Sequence, residues 1–174
     1  KMGYVEVGMD HFALPNDPLT LAKNNGDLHR NFMGYTTLPS KILIGLGASS
    51  ISDIYYAYAQ NEKHISKYES FVMKDTFAIQ KGHIQTKLDI IVREVIQNLI
   101  CRKQARIPRE VSERLSDDQL MTLKDMEKDG LLAINDDEIT VSEPGMKVIR
   151  NICSQFDLRL AENQSKKVLF SKTI

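Results

Sequence analysis

Leu88, Ile91, Val92, Val95, Ile96, Leu99 and Ile100 recur at three- and four-residue spacing, with Asp89, Arg93, Glu94 and Gln97 between them. That period puts the apolar side chains on one stripe of an α-helix and the charged ones on another. A long helix with one apolar side must lie against a second layer. Before about Asp75 the apolar runs are short, β-branched and broken by glycine, whereas beyond it they are helical. The expected fold is therefore α/β, with a strand-rich unit over residues 1–75 and a mainly helical one over 76–174.

In the first unit, Tyr4 to Ala13 reads as a buried strand that delivers side chains at its end. Asn16, Asp17 and Pro18 start a short helix through Leu19, Leu21 and Ala22, and Asn24, Asn25 and Gly26 stop it. His29 to Thr37 reads as a loop or short strand. A second strand is expected from Ile42 to Ile51, interrupted by Gly45 and Gly47, and a third apolar run comes next, from Ile54 to Tyr58. Ile65, Tyr68 and Phe71 or Val72 lie at helical spacing in the polar stretch 61–74.

In the second unit, Pro108 opens a short helix, Ser116 and Gln119 form a capping box, and Gly130 stops the helix that the box opens. Leu131 to Ile134 and Ile139 to Ser142 flank Asn135, Asp136 and Asp137 as a hairpin. Ser142 and Pro144 start a last helix with the stripe Ile149, Ile152, Cys153, Phe156 and Leu160. Helix, short helix, helix, hairpin and closing helix is a winged-helix-like order. Its candidate recognition helix carries Asp117, Asp118, Asp125, Glu127 and Asp129 against Lys124 and Lys128, a charge that repels phosphates, so no nucleic-acid partner is expected.

Composition narrows the class further. The 23 basic residues balance the 23 acidic ones, so no net field draws the chain to nucleic acid or an anionic membrane. No apolar run reaches the roughly 18 residues of a membrane span, and KMGYVEVGMD has no signal-peptide layout. A cytoplasmic, membrane-free protein is expected, with a fragment's start, since the chain enters a strand-like run at once. Cys101 and Cys153 sit in apolar helical patterns and read as buried, reduced and inert. With no cysteine triplet and no histidines at i, i+4 spacing, no metal site is expected.

Three clusters exceed what packing demands: GMDHFALP from Gly8, HRNFMGYTT from His29 and LIGLGASSIS from Leu43. Asp10 and His11 have the chemistry of an acid/base pair, although neighbouring strand residues point to opposite faces. Arg30, Asn31 and Tyr35 can hold a carboxylate by a guanidinium fork and an amide. Equally, Arg30 can pair with an acid while Asn31 caps its loop. The glycines of GLGASSIS lack the spacing and lysine of a phosphate loop, and fit a ligand's flat face against the backbone, with Ile51 as an apolar contact.

GMDHFA, RNFMGYTT, LIGLGASSIS and YAQN (58–61), in this order, resemble the oxygen-independent coproporphyrinogen III oxidases, and LICRK, RNIC with Phe156 and Asp157, and the closing LFSKTI are similar to the end of the same family. The resemblance implies the last strands of a radical S-adenosylmethionine barrel followed by a helical domain that covers the active site. It implies a parent that uses a [4Fe-4S] cluster, S-adenosylmethionine and an electron donor to oxidise two propionates of coproporphyrinogen III to vinyl groups, giving protoporphyrinogen IX. It implies that Ile51 contacts an S-adenosylmethionine, and Gly45 and Gly47 beside it are further candidates for that contact. The clustering of Asp10, His11, Arg30, Asn31 and Tyr35 at strand ends makes them the candidates to line the cavity near the substrate carboxylates. The cluster's cysteine triad is absent from these residues, so the chain alone is expected to be inactive and to self-associate through uncovered surfaces, while the parent is expected to be a monomer. A winged-helix interaction module and a haem-binding relative without oxidase activity are the competing readings.

Overall fold

A computed structural model describes residues 2–160. Strand β1 (Val5–Gly8) runs antiparallel to β2 (His11–Ala13). The single strand expected from Tyr4 to Ala13 is thus a hairpin, reversing at Asp10, whose φ of 64° lies in the left-handed region that aspartate tolerates better than most residues. Helix α1 (Pro18–Asn25) starts where Asp17 accepts the Leu19 N–H at 2.8 Å and ends at Gly26, φ 77°. Strands β3 (His29–Asn31) and β4 (Gly34–Thr36) make a second hairpin.

The strand expected from Ile42 to Ile51 forms only at its end, where β5 (Ile51–Asp53) begins; the rest is a long connection with one bridge, Leu43 to Asp53. Two facts account for this. The Gly45 backbone rests so close to β5 that a Cβ would stand 2.7 Å from the Ile51 carbonyl oxygen, and Ile42, Ile44 and Leu46 remain 63%, 61% and 86% exposed, with no layer to bury them among the described residues. Strands β6 (Ala57–Asn61) and β7 (Ile79–Ile84) complete an antiparallel sheet in the order β5-β6-β7, with α2 (Ile65–Val72) between β6 and β7 in sequence.

Helix α3 (Lys87–Arg102) is next, opened by a Thr86/Asp89 capping box and ended by Lys103 at φ 59°. After it come β8 (Gln104–Arg106), α4 (Arg109–Ser112), α5 (Asp117–Lys128), and the hairpin of β9 (Leu132–Asn135) and β10 (Glu138–Val141), with sheet order β8-β10-β9. The last helix is two: α6 (Glu143–Lys147) and α7 (Ile149–Ser154), divided at Val148. The break reconciles two demands. Gly145 sits where any Cβ would overlap the Leu131 carbonyl oxygen, while Ile149, Ile152, Cys153 and Phe156 must enter the core.

The α3 side chains join two cores. Val95 and Leu99 pack with Val111, Leu123, Ile139 and Phe156 on one side. Cys101 closes a smaller cluster of Val7, Ala13, Ala22, Leu28 and Tyr35 on the other. Each large side chain buried in this way contributes about 1.5–3 kcal/mol. No helix among the described residues is long and apolar enough to cross a membrane. The closing LFSKTI lies outside the described residues.

Candidate ligand cleft

Leu88, Val92, Ile96 and Ile100 are half-buried, and together they form the apolar wall of a cleft of about 690 Å³. They stand at successive four-residue steps, so they fall in one row along the helix. Arg30, Asn31 and Phe32 from β3 and the turn after it, with Asp53, Tyr58 and His83 from the sheet, form the facing wall; Asp157, Leu158 and Arg159 close one end. Gln97 Nε2 donates to the Arg30 carbonyl oxygen at 2.9 Å, tying β3 to α3. Phe32 meets Tyr58 edge-on at 5.2 Å.

Three arginines reach this cleft, and two are engaged by aspartates. Arg93 forks onto Asp53, with Nη1 to Oδ1 at 2.9 Å and Nη2 to Oδ2 at 2.6 Å, while its guanidinium lies 5.6 Å from the Tyr55 and Tyr58 ring centroids. Arg159 forks onto Asp89 at 2.7 and 2.9 Å, and Asp89 also accepts from the Thr86 N–H at 2.7 Å and lies 3.2 Å from His83 Nε2. The Arg159 bonds, with help from Thr86 and His83, hold the Asp89 carboxyl well below the usual carboxylate range. Burial raises the Tyr58 phenol.

Arg30 differs. It forms no ion pair with an acid among the described residues, its guanidinium lies 4.9 Å from the Tyr35 ring centroid, and its Nη1 is buried without a hydrogen-bond partner. Its positive charge is therefore offset by no acid among the described residues. An apolar wall, an aromatic edge and a guanidinium not paired with an acid among the described residues together suit a ligand with an apolar body and a peripheral carboxylate.

No family model matches the chain. Over its whole length it is 39% identical to an oxygen-independent coproporphyrinogen III oxidase of Synechocystis sp., 40% to that of Thermostichus vulcanus and 39% to that of Escherichia coli strain K12. Along its whole length the chain is similar to part of the oxygen-independent coproporphyrinogen III oxidases. Its fold agrees, with a TM-score of 0.78 and 40% identity over 89% of the chain, to the solved coproporphyrinogen III oxidase of Escherichia coli, which is described as a radical SAM enzyme. The chain spans 39%, 55% and 39% of the three relatives' lengths and 37% of the solved chain.

The residues singled out by sequence fall into three places. Arg30 and Asn31 stand on the cleft wall. Asn31 also caps its loop, its Oδ1 accepting the Met33 N–H at 2.8 Å. Asp10, His11 and Tyr35 do not line the cleft: Asp10 is exposed at the hairpin turn, and Tyr35 is buried beneath Arg30 with His11 edge-on to it at 5.1 Å. Ile51, Gly45 and Gly47 stand apart from the cleft as well. Both glycine carbonyls accept from Asn61 Nδ2, at 3.4 and 3.0 Å, which moors the loop to β6.

The residues present do not fit a [4Fe-4S] cluster. No three His, Cys, Asp or Glu side chains converge among the described residues. Cys101 and Cys153 are buried, and burial pushes their thiols up to about 11 and about 12, away from the thiolate that ligation needs. Sequence reasoning overlooked Asp53, His83 and Arg159, met Tyr58 only in an apolar run and within YAQN, and treated Asp89, Arg93 and Gln97 only as a polar helix side. A signal for the last three was present. They recur at four-residue steps directly beside the Leu88, Val92, Ile96 and Ile100 row, so both rows share one side of α3.

Proposed function

We propose that this chain is the C-terminal part of an oxygen-independent coproporphyrinogen III oxidase, whose full-length form oxidatively decarboxylates two propionates of coproporphyrinogen III to give protoporphyrinogen IX. The observation that carries this is identity of 39–40% along the whole chain to three oxidases of that name. Residues 1–75 are read as the end of a radical S-adenosylmethionine barrel, with β1, which has only β2 beside it among the described residues, as the strand next to the barrel's remainder. Residues 76–174 are read as a winged-helix-like domain, on the order α3, β8, α4, α5, β9, β10. Acidic α5 argues against nucleic acid as its partner.

S-adenosylmethionine, when bound in the parent, supplies the radical that starts the reaction, and Ile51 is the residue of this chain read as touching one such molecule. The cluster is assigned to residues outside this chain, so the chain alone is expected to be inactive. An electron donor completes the partners, and the cytoplasm is the expected compartment. Substrate carboxylates are assigned to the cleft, at Arg30 and Asn31. In the full-length protein, Arg30→Ala is expected to raise KM for coproporphyrinogen III about tenfold or more, the scale of a lost charge-assisted contact; an unchanged KM would sink the assignment.

A further inference from the structure

Beneath Arg30 the side chains of two sequence clusters form a stack. The Arg30 guanidinium lies 4.9 Å from the Tyr35 ring centroid, and the His11 ring meets Tyr35 edge-on at 5.1 Å and 83°. His11 is itself fixed, its Nδ1–H donating to the Met9 carbonyl oxygen at 2.8 Å. The two glycines nearby leave the room these rings need. A Cβ at Gly8 would overlap the Tyr35 hydroxyl, and one at Gly34, whose φ is 128°, would stand 3.0 Å from His11 Nε2. Tyr35 is 9% exposed and its hydroxyl, buried beside Arg30, makes no hydrogen bond of ordinary geometry, so the ring face is the surface it offers the guanidinium.

We propose that Tyr35 is a positioning residue for a carboxylate-specific site at Arg30, with His11 packed edge-on against its ring. A guanidinium on a long stem loses rotamer freedom when it binds, and an aromatic face that already holds the fork in place removes part of that cost. The inference rests on the assignment of substrate carboxylates to the cleft. It gives a common purpose to GMDHFA and RNFMGYTT, which meet at this stack and nowhere present Asp10, His11 and Tyr35 to the cleft directly.

The test is fluorescence titration of the full-length protein with coproporphyrin III as the free acid and as its tetramethyl ester, which keeps the apolar body and masks the carboxylates. The unchanged protein is expected to favour the acid. Tyr35→Leu is expected to weaken the acid about tenfold while leaving the ester within about twofold, and Tyr35→Phe, which retains the ring, to restore acid binding. His11→Ala, at a half-buried position, should give the same selective loss at about threefold, and provides the reading if Tyr35→Leu does not fold. Equal weakening of acid and ester, or a phenylalanine variant as impaired as the leucine one, would overturn the positioning role while leaving the cleft assignment intact. An unchanged full-length protein that binds neither probe would overturn both.

Discussion

Asp89 serves three elements with one carboxylate: it caps α3 through Thr86, faces His83 on β7, and receives the fork of Arg159 from the segment after α7. Its folded carboxyl is held below the usual range, so its contribution to stability is complete above the unfolded carboxylate pKa and is lost as the pH falls through the depressed folded value. Chemical denaturation of wild type and Asp89→Asn between about pH 5 and pH 2 should show the wild type losing its advantage as acid is added, and a flatter slope in the variant. Parallel slopes would show that Asp89 is not the group responsible. The contacts with His83 and Arg159 were not legible from sequence, where Asp89 is one charge among several on a helix and Arg159 belongs to a segment 70 positions away.

At the scale of elements, what was legible is what carries its own period. The α3 stripe announced the helix and its apolar face, and the Ser116/Gln119 box marked the start of α5, where capping and apolar spacing agree. β7 escaped notice because IQKGHI is almost wholly exposed and shows no alternation, and β8 because three residues carry no period. The stretch 42–50 misled for the opposite reason. Its alternating isoleucine and leucine look like a strand, yet nothing among the described residues covers them, and Gly45 is pinned against Ile51. Part of the cleft was visible in advance. Arg30 and Asn31 stood out as polar groups in an aromatic, glycine-containing cluster, whereas Arg93 and Tyr58 matter only because β6 and α3, separate elements in sequence, are brought together by the sheet.

At the scale of the whole molecule, Ile42, Ile44, Leu46, Phe77 and Ile84 are exposed, and β1 has one edge unpaired among the described residues. Uncovered apolar side chains and open strand edges favour association with other chains. The isolated chain is therefore expected to sediment as species heavier than a monomer at high concentration; a single monomeric boundary would contradict this. The most direct measurement on the central claim is an anaerobic assay of the full-length protein with reconstituted cluster, S-adenosylmethionine and reductant, following coproporphyrinogen III by chromatography of the oxidised porphyrins. Accumulation of protoporphyrin is the expected result. Cleavage of the cofactor without decarboxylation, with cluster loading verified, would contradict it.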